Sequence, residues 1–179
     1  MLKEESIATE NAVSRLAPSS TAENKMPPSV RNVLFICADN SRASIIAEAL
    51  LKRWGCGSFQ AFSAGNTPTA VVHPMIHQLL MAQRVWRPEL KSKSWYEFLR
   101  PDAPRMDFII SLGDRAPDGL PSRWPGNPRV MHWRVSEPLG DGTAVESAQA
   151  FRRTFTELET RIKLFTLVNT RKSIRRAAA

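Results

Sequence analysis

From residue 31 onward, short apolar runs alternate with stretches of helical periodicity, the signature of a parallel sheet flanked by helices. The first run, Val33-Leu34-Phe35-Ile36, lies in a strand expected over 32–36. At Cys37 it gives way to Ala38-Asp39-Asn40-Ser41-Arg42-Ala43-Ser44 and a helix expected from Ser41 to Trp54. In that helix Ile46, Ala49, Leu50 and Trp54 recur at three- and four-residue steps, and Gly55 is placed to stop it. A short strand over 60–63 precedes Ala64-Gly65-Asn66-Thr67-Pro68, a turn by composition. Pro74 suits the first turn of a second helix carrying Met75, Ile76, Leu79 and Leu80. Residues 85–104, with three prolines, predict a loop with a short helix around 95–99, and buried strands are expected over 108–111 and 129–133. Thr143 and Glu146 form a capping box for a last helix, in which Phe151, Phe155, Leu158, Ile162 and Phe165 make a core stripe.

The 179 residues suffice for one α/β domain with a full core and are cramped for two. Residues 1–30 lack apolar periodicity and are rich in Ser, Thr, Glu and Asn. They read as a disordered leader, and Glu4, Glu5, Glu10 and Glu23 make it too acidic for a transit peptide. The domain is expected over 31–168, with a basic tail, 169–179, holding Arg171, Lys172, Arg175 and Arg176. No secretion signal or membrane span is evident, and only Cys37 and Cys56 could pair. A cytoplasmic protein with free thiols is therefore the expectation, although a Cys37–Cys56 bridge stays open. An excess of 25 Lys and Arg over 17 Asp and Glu admits anionic partners. The interleaved basic and aromatic residues of a single-strand platform are missing, which argues against nucleic acid.

Cys37 stands where such a fold can hold an anion. A turn between a buried strand and a helix aims backbone N–H groups and the positive end of the helix dipole at one small volume. A cysteine at a helix N-terminus can have its pKa lowered from about 8.5 to roughly 3.5–7.5, which makes it nucleophilic at neutral pH. The bland alternative is a cysteine that simply ends a core strand. The polar residues Asn40, Ser41 and Ser44 that follow favour the reactive reading.

The strand, the cysteine, the Asn-Ser turn and the helix Ile45-Ile46-Ala47-Glu48-Ala49-Leu50 together resemble the low-molecular-weight protein-tyrosine-phosphatase superfamily, and most closely its arsenate-reductase branch. Further segments fit in order: Phe62-Ser63-Ala64-Gly65, Lys91-Ser92-Lys93-Ser94-Trp95, Pro101-Asp102-Ala103-Pro104, Met106-Asp107-Phe108, Trp124-Pro125-Gly126, and His132-Trp133 ahead of an acid-Pro step. The resemblance covers about residues 31–166. It implies a three-layer fold with a four-stranded parallel sheet of order 2-1-3-4, helices on both faces, and the anion loop at the carboxyl end of the first strand. It also implies chemistry without a metal or other cofactor. Cys37 matches the nucleophile, Asn40 and Ser41 the loop's Asn-Ser, and Ser44 the hydroxyl that steadies the thiolate, so Ala38, Asp39, Asn40, Ser41, Ala43 and Ser44 would line the oxyanion.

The chain departs from that pattern at its arginine, its acid and its relay cysteines. Ala43 occupies the family's arginine position and Arg42 precedes it by one, a shift expected to turn the guanidinium about 100° away along a helix. Glu137 before Pro138 replaces the aspartic acid that protonates the leaving group. The relay cysteines of thioredoxin-coupled members are missing, with Gly113 at the first position and Pro121 or its neighbours at the second. Arsenate reduction would thus need an external thiol such as glutathione or mycothiol. The ligands implied are phosphate, arsenate or a phosphotyrosine-type oxyanion. Two readings follow: a cysteine-dependent phosphatase or arsenate reductase acting through Cys37, Arg42 and Glu137, or an impaired relative that binds oxyanions or phosphoproteins as a regulatory module.

His73 and His77 have ligand spacing on a helix but no third partner, so no metal is expected. His132, Ser63 and Ser94 read as structural. Asp114 is a candidate brace for the loop, and Asp39 opposes a dianion unless it faces solvent.

Overall fold

The computed structural model describes residues 30–136 and 143–177, with side chains through residue 170. Four parallel strands, β1 (Arg31–Cys37), β2 (Phe59–Gly65), β3 (Phe108–Gly113) and β4 (Arg129–Arg134), form a sheet of order β2-β1-β3-β4. Between and after them come helices α1 (Ala43–Trp54), α2 (Pro74–Ala82) and α3 (Ala144–Ala177), and a 3-10 helix over Trp95–Leu99. The expected architecture is the observed one. Strand β1 lies in the middle of the sheet, so both of its faces must be covered. Val33, Leu34, Phe35 and Ile36 are accordingly all fully buried.

Alternation along the strands separates two cores. Val33, Phe35, Cys37, Ile110 and Leu112 pack with α1, α2 and α3 on one face, where the stripe Phe151, Phe155, Leu158, Ile162 and Phe165 is buried as its spacing predicts. Leu34, Ile36, Ala64 and Ile109 meet Trp95, Phe98, Met106 and Trp124 on the other. That second layer is thus the 3-10 helix and loop aromatics, so helical elements cover both faces of the sheet. Fully burying one large apolar side chain is worth about 1.5–3 kcal/mol, which makes Phe35 and Ile36 strong anchors for the end of β1.

The structure differs from the sequence expectations mainly at element ends. Strands β1 and β2 are seven residues each, running through Cys37 and Gly65, which are paired in register. Helix α1 begins at Ala43, two residues later than expected. The Thr143–Glu146 capping box forms, with the Glu146 carboxylate accepting from the Thr143 amide at 2.8 Å and hydroxyl at 2.9 Å. Helix α3 runs from Ala144 through Ala177. The expected leader, Val30 aside, lies outside the described residues, as do Glu137 and Pro138. Among the described residues no helix is long and apolar enough to cross a membrane.

Candidate functional site

The turn from β1 into α1 is held open from outside. The Cys37 carbonyl accepts from the Asn66 amide at 3.2 Å, Ala38 from Thr67 at 2.8 Å, Asp39 from Thr69 at 3.2 Å, and Ser41 from His73 at 3.1 Å. In a trans peptide the carbonyl and the next N–H point in opposite directions. Four carbonyls anchored to the 66–73 segment therefore send the amides of Ala38, Asp39, Asn40 and Arg42 to the other side of the turn. Asn40 takes the bend at φ 50°, a left-handed conformation that asparagine tolerates well.

Gly65 makes this closeness possible. A Cβ there would lie 2.8 Å from the Asn40 nitrogen and 2.9 Å from both the Asn40 Cβ and the Asp39 carbonyl carbon. Beside it, the Lys93 amide donates to Asn40 Oδ1 at 2.8 Å, and the Ser92 hydroxyl donates to the Asp39 carbonyl at 3.2 Å. Residues 92–93 thus clamp the turn from a point more than fifty residues away in sequence.

Within the turn, Cys37 Sγ lies 2.9 Å from Ser44 Oγ, and Asn40 Nδ2 donates to the same hydroxyl oxygen at 2.8 Å. All three residues have no exposed surface. With its oxygen occupied by Asn40, the Ser44 hydroxyl can turn its proton to a negative sulfur.

Asp39 is half-buried and its charge is balanced. Its Oδ1 accepts from the Ser41 amide at 3.0 Å and lies 3.9 Å from Cys37 Sγ. Its Oδ2 accepts from the Ser41 hydroxyl at 2.8 Å and from Arg42 Nη2 at 2.8 Å. Burial pushes this carboxyl up, but the Ser41 amide, the Ser41 hydroxyl and Arg42 together outweigh that and hold it below its ordinary value. The helical geometry assumed for Arg42 is not the one observed. Arg42 is the N-cap of α1, at φ −132° and ψ −98°, so the helical angle per residue does not apply and its guanidinium reaches back to Asp39. Ala43 opens the helix and is fully buried.

A cleft of about 300 Å³ adjoins the turn, lined by Ala38, Asn66 and residues 112–118. Asp114 lines this cleft and its carbonyl accepts from Arg134 at 3.3 Å, so the structure gives it no bracing bond to the turn among the described residues. Gly113 has φ 126°, a backbone a cysteine would adopt only with strain.

Behind the turn lies a cluster that the sequence alone does not reveal. Glu48 on α1, almost fully buried, accepts from the Ser63 hydroxyl at 2.6 Å and lies 3.2 Å from Lys52 Nζ and 3.6 Å from Lys93 Nζ. Burial pushes the Lys93 ammonium down, while Glu48 and Glu97 pull it back up. Ser94 caps the 3-10 helix. His73 caps α2 and packs on Phe151, His77 packs edge-on to Trp86, and His132 Nδ1 lies 3.0 Å from Ser111 Oγ. Cys37 is buried and Cys56 exposed, and the structure records no disulfide between them.

The low molecular weight phosphotyrosine protein phosphatase family model matches residues 32–177. A curated arsenate reductase of Halalkalibacterium halodurans is 25% identical over 134 residues, 74% of this chain and 93% of that protein. Among solved structures, an arsenate reductase in the phosphate binding state is 25% identical with a TM-score of 0.63, covering 77% of this chain and 98% of that one. A thioredoxin-dependent arsenate reductase of Corynebacterium glutamicum is 29% identical with a TM-score of 0.53, covering 79% of this chain and 66% of that one.

Proposed function

We propose, from the premise that this chain belongs to the low molecular weight phosphotyrosine protein phosphatase family, that it binds a tetrahedral oxyanion in the 37–44 turn and acts on it through Cys37. The observation that carries this reading is the pairing of Cys37 Sγ with Ser44 Oγ at 2.9 Å inside a turn in which the carbonyls of Cys37, Ala38, Asp39 and Ser41 are tied outward. The amides from Ala38 to Ser44 and the Ser41 hydroxyl would receive the oxyanion. Arg42 would supply charge, and Glu137 would protonate a leaving group.

With a phosphate monoester, the Cys37 thiolate attacks phosphorus, the P–O bond to the alcohol breaks, and the leaving oxygen takes a proton from Glu137. Water then cleaves the S–P bond and returns phosphate and thiol. With arsenate, the thiolate displaces an oxygen from arsenic as water. An external thiol then attacks Cys37 sulfur, leaving a mixed disulfide and arsenite, with the S–As bond pair remaining on arsenic. A second external thiol frees Cys37 and leaves the oxidised thiol pair. Arsenate is the substrate in the names of the relatives above.

Two features favour the second reading, a module that binds without turning over. Arg42 is engaged by Asp39, and the sulfur has no exposed surface. Aryl-phosphate hydrolysis and thiol-dependent arsenate reduction are to be measured for the natural chain, Cys37→Ser, and the exchange Arg42→Ala/Ala43→Arg. Activity in the natural chain that is lost in Cys37→Ser supports the enzyme. Silence until the exchange is made supports the binding module, and silence throughout with no phosphate-dependent rise in melting temperature refutes both. A ligand at about 100 times its dissociation constant should add about 2.7 kcal/mol of stability.

A further inference from the structure

The donors an oxyanion would need in this turn already hold an anion, one that belongs to the chain. The Asp39 carboxylate collects an amide, a hydroxyl and a guanidinium, from Ser41 N, Ser41 Oγ and Arg42 Nη2, all within 3.0 Å. The same carboxylate lies 3.9 Å from a sulfur that has no exposed surface. A local Asx turn accounts for the Ser41 amide alone. It does not account for the guanidinium on the second oxygen or for the carboxylate's place beside the sulfur. The side chains of residues 37–44 carry one aspartate and one arginine, so the turn is neutral apart from the sulfur.

We propose that Asp39 is an internal ligand of the turn, occupying the Ser41 and Arg42 donors that an external oxyanion requires, and that it thereby sets the affinity and charge preference of the site. This rests on the oxyanion-binding reading of the turn. An incoming phosphate must displace a carboxylate from Arg42 or bind beside it, and both oppose a dianion. The arginine one step early in the sequence and the aspartate three before it then form one device. Arg42 reaches the site because the helix starts late, and Asp39 holds its guanidinium until a stronger anion takes it.

The test measures inorganic phosphate binding to the full chain by titration calorimetry for the natural protein, Asp39→Asn, Arg42→Ala and the double variant. Asparagine keeps the shape and can still accept from the Ser41 amide, and the melting temperature without phosphate checks that each variant is folded. Removing a competitor that makes a charge-assisted bond should tighten phosphate binding by about tenfold or more. In the Arg42→Ala background that gain should largely vanish, because the donor being contested is gone. Asp39→Ala provides a second readout: in a Cys56→Ser background, alkylation of Cys37 by iodoacetamide should accelerate. Phosphate binding by the natural chain that Asp39→Asn leaves unchanged or weakens overturns this inference alone. A gain that survives in full in the Arg42→Ala background also overturns it. Absence of phosphate binding in every variant overturns the oxyanion-site reading and this inference with it.

Discussion

Replacing Gly65 with alanine tests whether the shape of the 37–44 turn depends on the close approach of β2. The new methyl group would sit 2.8 Å from the Asn40 nitrogen and 2.9 Å from the Asp39 carbonyl carbon, where carbon atoms pack at about 3.5–4.0 Å. Those neighbours are backbone atoms, and neither side can retreat cheaply. Gly65 is paired with Cys37, and its amide donates to the Lys93 carbonyl at 2.9 Å, while Asn40 is held by the Lys93 amide. Overpacking of this kind costs about 1–3 kcal/mol. For a chain of this size each kcal/mol lowers the melting temperature by about 2–4 °C, so a fall of roughly 2–12 °C is expected. Without the clash the sign would reverse, since glycine to alanine at a compatible site stabilises by about 0.4–1 kcal/mol through the unfolded chain. A turn displaced by about 1 Å should also weaken phosphate-dependent stabilisation and cut any turnover by about 10². Thermal unfolding with and without phosphate measures both. A Gly65→Ala protein that melts at or above the natural temperature and responds normally to phosphate would refute the argument.

Ser44→Ala removes the hydroxyl shared by Cys37 and Asn40 and strands the buried Asn40 amide, so it should cost about 1–3 kcal/mol in thermal unfolding and slow Cys37 alkylation at neutral pH. Glu48→Gln leaves Lys93 buried without its carboxylate. Breaking such a pair costs about 3–5 kcal/mol, to be read as a lowered urea midpoint, and phosphate binding should weaken because the 92–93 clamp loosens. The Asp39 carboxyl is lowered in the folded state, so its stabilisation is complete above the unfolded carboxylate value of about 3.9 and is lost as pH falls through the lower folded value. Asp39→Asn should therefore flatten the acid limb of a stability–pH curve below about pH 4 and leave its alkaline side unchanged.

The elements whose signals are local were legible in the sequence. The apolar runs of β1 and β3, the capping box of α3 and its core stripe all follow from spacings within a dozen residues or so. Sheet order came from the resemblance, because parallel pairing joins segments whose proximity no local pattern encodes. The helical rotation expected of Arg42 rests on a helix start that the structure places later. Periodicity placed the helix start at Ser41, but the Asp39–Ser41 bonds and the left-handed Asn40 keep the chain non-helical for two more residues, and a rotation argument fails outside a helix. The Glu48–Lys93 pair was invisible because its partners are 45 positions apart and each reads alone as a solvated charge. Gly65 was visible as a turn residue; its closeness to Asn40 required coordinates.

On the proposed reading, binding and chemistry would have different supports in this turn, and that difference would explain how an arginine one step early can be tolerated. The orientation of the amides is imposed from outside by residues 66, 67, 69 and 73, which hold the carbonyls, and from below by Lys93, which holds Asn40. None of those bonds involves the side chain of residue 42 or 43. Exchanging arginine and alanine there leaves the backbone cradle standing, and backbone N–H groups at a helix N-terminus suffice to attract an anion. Turnover asks for more, because charge builds on the equatorial oxygens and each well-aimed donor to it is worth about 2.7–4 kcal/mol. Only Arg42 among the side chains of the turn carries a positive charge, and on the proposed reading it would supply it at the expense of Asp39. Oxyanion affinity should therefore survive changes at position 42 better than rate does, and a variant series in which the two fall in parallel would mean that the arginine, not the backbone, holds the ligand.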